Sequence, residues 1–257
     1  MALLTIGWFS QSLNRQATVQ AVVPIEGRDL ARPLPTLYLL HGIMADHTQW
    51  LTGSRIAELA NRWGVAVIMP DGDNSFYVDQ EASNSYYGQY VGQELVVQSR
   101  RLLPLSHDRQ DTWIGGLSMG GYGAIRNGLK YHDTFGGIVA LSSALVVDRA
   151  IASTDDAEWA FARRQYFTSV FGDLTHLRGS DKDVEALAER VKASGDSLPR
   201  MYLACGTEDR LVEANRRYHA LLSSLDIEHT YVEGPGGHDF AFWDLYIEKA
   251  LEWLKPL

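Results

Sequence analysis

The sequence predicts an α/β fold in which a mostly parallel central sheet is flanked by helices. Two observations carry that expectation. Short, almost continuously apolar runs recur along the chain, as strands covered on both faces require. Most of these runs are separated by segments whose apolar residues fall at helical spacing. Such alternation, with right-handed crossovers, makes neighbouring strands parallel.

Residues 17–23 alternate like a strand that ends at Pro24. The runs 36–40 (TLYLL), 65–69 (VAVIM), 112–115, 137–141 (GIVAL) and 201–205 (MYLAC) are close to continuously apolar, and 229–233 supplies a last strand. Helices are expected over 56–63, 89–103, 119–132 and 240–254. In 211–225, Leu211, Ala214, Tyr218, Leu221, Leu222 and Leu225 share one stripe; Val184, Leu187, Ala188 and Val191 do the same in the preceding helix. The rhythm fails over 145–197, where two helix-like segments occur with no strand between them. This segment is expected to be an insertion between sheet strands, either a cap over a pocket or padding along one edge.

With 257 residues, 46% apolar and 21% charged, the chain can bury a full core, and 1–257 is expected to form a single domain. Lys and Arg number 23 against 32 Asp and Glu, and the net charge of -9 repels phosphate backbones and anionic lipid. Neither a nucleic-acid nor a membrane partner is expected. The single cysteine, Cys205, excludes an intramolecular disulfide and a cysteine-based zinc cluster. The first residues show no basic and apolar secretion signal, and no stretch approaches the ~18 apolar residues of a membrane span. A cytoplasmic location is therefore expected.

Gly116-Leu117-Ser118-Met119-Gly120 fits the pattern G-x-S-x-G. A bare match is weak, because glycine and serine crowd turns everywhere. Here residues 111–115 run into the motif as a strand and 121–125 open a helix after it, the setting the motif requires. A serine on so tight a turn sits above the sheet at a helix N-terminus. There the helix dipole and the N–H of Met119 can stabilise a developing oxyanion.

A serine hydroxyl is a poor nucleophile without an adjacent base. Of the eight histidines, His238 fits best, on the glycine-rich loop between the last strand and the last helix. His219 lies mid-helix and is expected to pack or face solvent, and His229 to lie within a strand. The acid should leave the end of the 201–205 strand, where Glu208 and Asp209 both stand. Asp209 is the choice and Glu208 the competitor; Asp209 would equally suit a helix N-cap. The second oxyanion donor should come from the loop after the 36–40 strand, where Gly42 lets the backbone turn inward. The N–H of Ile43 is the candidate there, paired with that of Met119, and His41 is expected to hold the loop by hydrogen bonds.

Assembled, these residues resemble the esterase D-type branch of the α/β-hydrolases, and within it the tributyrin esterases. The resemblance runs through LYLLHGI at 37–43, Trp50, VIMPDGDNSFYVD at 67–79, GLSMGGYGA at 116–124, GTED at 206–209 and GGHDFAFW at 236–243. It covers most of the chain and is weakest over 145–197. It implies an α/β-hydrolase fold and hydrolysis of short-chain acyl esters, with no metal and no organic cofactor. It carries the nucleophile onto Ser118, the acid onto Asp209, the base onto His238 and the oxyanion amides onto Ile43 and Met119. Its members are often oligomeric, which allows a homo-oligomer here. One departure is Phe240, where the related pattern often has Trp.

Trp50, Phe76, Tyr77, Tyr86 and Tyr87 lie on or near loops expected to face the pocket. Trp50, Phe76 and Tyr77 are the substrate-binding candidates, an aromatic wall suited to acetyl to butyryl groups. Each singly could equally pack beneath a loop. The same triad could serve S-formylglutathione, feruloyl or acetyl-sugar esters, or pass the acyl group to another alcohol. A binding-only scaffold would have lost a triad member, and none is lost. No G-x-G-x-x-G opens the first strand–helix unit, which disfavours a dehydrogenase.

Overall fold

The computed structural model describes residues 1–27, 29 and 32–254, so residues 28, 30, 31 and 255–257 of the expected domain lie outside the described residues. Ten strands form among the described residues: β1 (Ala2–Ser10), β2 (Arg15–Val23), β3 (Thr36–Leu40), β4 (Ala66–Pro70), β5 (Asp79–Gln80), β6 (Ser85–Tyr86), β7 (Thr112–Leu117), β8 (Gly137–Leu141), β9 (Arg200–Gly206) and β10 (Thr230–Gly234). Eight of them make one sheet in the order β1-β2-β4-β3-β7-β8-β9-β10, and β5 pairs with β6 apart from it. From β4 to β10 all neighbours are parallel; β2 runs antiparallel to both β4 and β1.

The helices are α1 (Gln49–Gly53), α2 (Ile56–Trp63), α3 (Tyr87–Gln89), α4 (Leu95–Leu102), α5 (Met119–Lys130), α6 (Val147–Ile151), α7 (Arg164–Phe171), α8 (Val184–Ser194), α9 (Val212–Ser224) and α10 (Phe240–Leu254). Each expected strand and helix is present, with ends moved by a residue or two. The expected helix over 89–103 is interrupted by a π-helical turn at Tyr90–Glu94.

β3, β4, β7 and β8 are buried along their whole length, which is why they read as continuous apolar runs. The sheet divides the core in two. One cluster joins it to α1, α2 and α10 through Trp50, Ile56, Leu59, Trp243 and Ile247. The other joins the opposite face to α4, α5, α8 and α9 through Leu95, Ile125, Leu187 and Leu222. Each such aliphatic or aromatic side chain contributes about 1.5–3 kcal/mol when fully buried.

β1 is the strand of the main sheet that sequence reasoning missed. Ala2, Leu4, Ile6 and Trp8 pack on the core, yet the outward positions include Leu3 and Phe9, exposed at 57% and 53%. Apolar residues on both faces mask the two-residue period. The following turn is fixed by Glu94, whose carboxylate accepts from the Trp8 indole, Ser10 Oγ and the N–H groups of Gln11 and Ser12.

The 145–197 segment contains no strand among the described residues. It is tied to the body by Arg126 of α5, fully buried, which donates to the backbone carbonyl and the carboxylate of Asp181. Lys130 reaches the same carboxylate at 2.6 Å. Its α8 packs along α5 and α9, while residues nearer its start turn over the carboxyl ends of the strands.

Candidate active site

The sheet order reverses beside β3: the chain passes from β3 outward to β4, then crosses to β7 on the other side. Loops leaving the carboxyl ends of β3 and β7 diverge there, which makes a crevice at the top of the sheet. Ser118 is the first residue after β7 and stands at the N-terminus of α5, with φ 54° and ψ -116°. That backbone is unfavourable for a residue with a Cβ and survives only where its surroundings enforce it. Ser118 N–H donates to Leu141 O at 2.9 Å, and Ser118 O accepts from the N–H groups of Tyr122 and Ala144 at 3.1 and 2.9 Å.

Gly120 lets α5 approach β3. A Cβ there would lie 2.4 Å from Leu40 O and 2.7 Å from His41 O, both backbone atoms. Gly120→Ala must therefore push α5 away and displace Ser118. We expect a stability cost of about 1–3 kcal/mol by urea unfolding. We also expect a loss of roughly 100-fold in kcat/KM, the scale of a 1 Å misplacement of a reacting group. Unchanged kinetics would refute the close-approach argument.

Asp209 and His238 come from the ends of β9 and β10. The two loops are joined by Thr207 N–H to Gly234 O at 2.9 Å and Glu208 N–H to Gly236 O at 3.1 Å. Gly206 permits this contact, since a Cβ would sit 2.0 Å from Gly236 O. His238 Nδ1 is 2.8 Å from Asp209 Oδ2, and His238 Nε2 is 3.0 Å from Ser118 Oγ. A carboxylate can only accept, so Nδ1 carries the proton and Nε2 is left to accept from the serine hydroxyl. The imidazole edge packs on Trp243, with ring centroids 4.9 Å apart.

Of the two candidate acids, Asp209 is the one whose carboxylate meets the imidazole. Glu208 is exposed and turned away, accepting from Gly236 N–H at 2.5 Å and Thr207 Oγ1 at 2.8 Å. Asp209 is not the N-cap of α9, a position held by Leu211, but its Oδ1 accepts from Leu211 N–H at 2.8 Å and so holds the turn before that helix. Burial pushes the Asp209 carboxyl up, but hydrogen bonds from His238, Leu211 N–H and Ser142 outweigh it, and the net shift is downward. Asp209 thus stays ionised well below neutral pH. Cys205, buried close by, is pushed up to about 12 by burial and then by Asp209, which makes its thiol inert.

Ile43 and Met119 line the same cavity as Ser118, and neither N–H has an acceptor among the described residues. The amides on either side of Ile43 are engaged: Gly42 N–H donates to Gln49 Oε1 at 2.8 Å and Met44 N–H to Asn74 Oδ1 at 2.7 Å. His41 holds this loop. Its Nδ1 donates to Gly42 O at 2.7 Å and its Nε2 accepts from Gly72 N–H at 2.8 Å, so both ring nitrogens are occupied. His219 and His229 lie in contact with each other, 2.7 Å apart, with His229 just ahead of β10 rather than within it.

Of the three aromatic substrate-binding candidates, only Phe76 lines the cavity beside Ser118. Trp50 is buried on the other face of the sheet, donating to Leu40 O at 3.0 Å and packing edge-on against Phe240. Phe240 also packs on Trp243, so an aromatic at that position keeps the packing. Tyr77 is fully buried and its hydroxyl donates to His41 O at 3.0 Å. The physical reason is local: Phe76 and Tyr77 both have positive φ, 52° and 55°, and the kinked backbone sends one ring to the cavity and the other beneath the loop. Tyr86 and Tyr87 also lie outside that lining.

The rest of the lining escaped sequence reasoning. Val146, Arg149, Trp159, Phe161 and Phe167 come from the 145–197 segment, where no motif marks them, and Arg210 follows Asp209 directly. Ser142 is a further residue not foreseen. It accepts from Trp243 Nε1 at 3.1 Å and bonds Asp209, so it links the aromatic neighbour of His238 to Asp209. Its position just past β8, at positive φ (48°), was the available signal.

A family model described as "Putative esterase" matches residues 10–254, nearly the whole chain and every residue of this constellation. The chain belongs to that esterase family. The esterase is 44% identical to the acetyl esterase of Caldicellulosiruptor saccharolyticus over 100% of this chain and 99% of the relative. Two solved structures from Staphylococcus aureus are similar over 98% of both chains. The fluorophosphonate-binding serine hydrolase F, with substrate bound, has a TM-score of 0.89 and 29% identity. The S-formylglutathione hydrolase has a TM-score of 0.86 and 30% identity. The fold is that of the α/β-hydrolases, and the protein is an enzyme, a serine hydrolase acting on carboxylic ester bonds. No helix among the described residues is long and apolar enough to cross a membrane.

Proposed function

We propose that the esterase hydrolyses short-chain acyl esters, acetyl to butyryl, through an acyl-enzyme on Ser118, in the manner of the tributyrin esterases it resembles. The observation that carries this reading is the hydrogen-bonded line Ser118–His238–Asp209, beside a cavity of about 30 Å³. The cavity is small, which supports a short acyl group over a long one. Phe76, Phe167 and Val146 give it apolar walls.

In this mechanism Ser118 Oγ attacks the ester carbonyl as His238 Nε2 takes its proton. The tetrahedral oxyanion receives hydrogen bonds from the N–H groups of Ile43 and Met119. His238 then protonates the departing alcohol, and water attacks the acyl-enzyme by the same steps. Asp209 holds the imidazole in the tautomer this requires. The reaction belongs to one cytoplasmic domain spanning 1–257, with part of 145–197 as roof of the pocket, and it uses no metal or cofactor.

An acyl-length series of p-nitrophenyl esters tests the reading. kcat/KM should be highest from acetyl to butyryl and fall at least tenfold by octanoyl, since the extra methylenes find no enclosed space. A maximum at octanoyl or beyond would overturn it. A second reading, thioester hydrolysis of S-formylglutathione, is favoured by the 30% identical structural neighbour of that name. It predicts kcat/KM for that thioester well above that for p-nitrophenyl acetate.

The pH profile is a further expectation. Because the Asp209 carboxyl is shifted down, its ionised form persists above the ordinary value of about 3.9 and is lost only as pH falls below that. A general base must be neutral to take the serine proton, and Asp209 stays ionised to support it. The deacylation rate should therefore fall on acidification. A flat rate, measured with deacylation limiting, would contradict the assignment of His238.

A further inference from the structure

We propose that Arg149 and Arg210 form a recognition site for an anionic group on the alcohol side of the ester, a carboxylate or a phosphate. This rests on the reading of Ser118 as nucleophile. Both arginines line the cavity that contains Ser118, Ile43 and Met119, and both are exposed. Neither is in an ion pair among the described residues. The carboxylates near them in sequence are engaged elsewhere: Asp148 pairs with Arg178, Asp209 with His238, and Glu208 accepts from Thr207 and Gly236. Arg149 lies over the indole of Trp159, 5.9 Å from the ring centroid, so the ring gives the guanidinium a shelf while its donors stay open to a ligand.

The position of the two cations within the cavity decides which half of the ester they meet. Phe76 and Phe167 are buried and make an uncharged inner wall, whereas Arg149, Trp159 and Arg210 are exposed and make the rim. A small acyl group belongs at the apolar wall, which leaves the alcohol pointing to the rim. On a chain of net charge -9, two unpaired cations at one mouth are not part of a general basic surface. Guanidinium pairs bind carboxylate and phosphate oxygens with directed hydrogen bonds, so the site would orient the leaving group as well as attract it.

The test compares 4-acetoxybenzoate with its neutral methyl ester, and 4-acetoxyphenyl phosphate in parallel to tell a carboxylate from a phosphate. Wild type, Arg149→Gln and Arg149→Gln/Arg210→Gln are assayed at low and high salt. Exposed ion pairs are each worth up to about fivefold, so the wild type should favour the better anionic ester roughly tenfold at low salt, less at high salt. That ratio should fall in Arg149→Gln and approach one in the double variant. Equal kcat/KM for anionic and neutral esters in the wild type would overturn the site, as would a preference that survives in the double variant. So would an anionic preference that follows the acyl group, read with p-nitrophenyl hemisuccinate against the butyrate. Failure of the wild type to hydrolyse any of these esters, or p-nitrophenyl acetate, would instead sink the nucleophile reading on which the site rests.

Discussion

Ser118→Ala should lower kcat for p-nitrophenyl acetate by roughly a millionfold, the scale seen when the nucleophile of a serine triad is removed. The residue is 6% exposed and its hydroxyl meets His238 Nε2 at 3.0 Å, so the substitution removes the proposed nucleophile without opening a large void. Unfolding by heat or urea should change little, and a positive φ is tolerated no worse by alanine than by serine. Residual rate would come from the oxyanion donors and from binding alone. A folded mutant with near-normal turnover would move the chemistry to another residue.

The second large effect belongs to Asp209→Asn. The amide matches the carboxylate in shape, so the loop and the bond from Leu211 N–H to Oδ1 can persist. What changes is the partner offered to His238 Nδ1. An amide NH₂ in that place presents a donor, which favours the imidazole with its proton on Nε2, the atom that must accept from Ser118. A loss of about 10⁴-fold in kcat is expected, from the wrong tautomer and from the imidazolium losing its counter-charge. Steady-state kinetics with the same ester reads this directly. A loss below about tenfold would mean that Asp209 serves mainly to hold the turn before α9, and Glu208→Gln is then the variant to compare.

The parts of the site legible in the sequence are those fixed by backbone geometry. The elbow could be recognised because Gly116 and Gly120 stand where α5 must cross β3, and such close approach restricts residue type at set spacing. His238 and Asp209 could be found because each leaves the end of a short strand in the chain order of this fold. Glu208 and Asp209 are adjacent and chemically alike, and it took the loop contact at Gly206 and Gly236 to show which one faces the imidazole.

What could not be read depends on side-chain direction or on contacts distant in sequence. Trp50 and Tyr77 are on the right loops, but one turns beneath the sheet and the other beneath His41. β1 lacks a polar outer face, so its period is hidden. Arg149, Trp159 and Phe161 reach the pocket because Arg126 and Lys130 clamp Asp181 and hold the 145–197 segment against α5. No pattern along the chain encodes that meeting.

The most direct test of the central claim is the mass of the enzyme quenched in acid during turnover of p-nitrophenyl acetate, followed by peptide mapping. An acyl-enzyme on Ser118 predicts one added acetyl group, confined to the peptide that carries Ser118 and absent from Ser118→Ala. The signal should be strongest at low pH, where deacylation is slowed. An acetyl group on another residue, or active enzyme that shows no adduct even when deacylation limits turnover, would contradict the proposed mechanism.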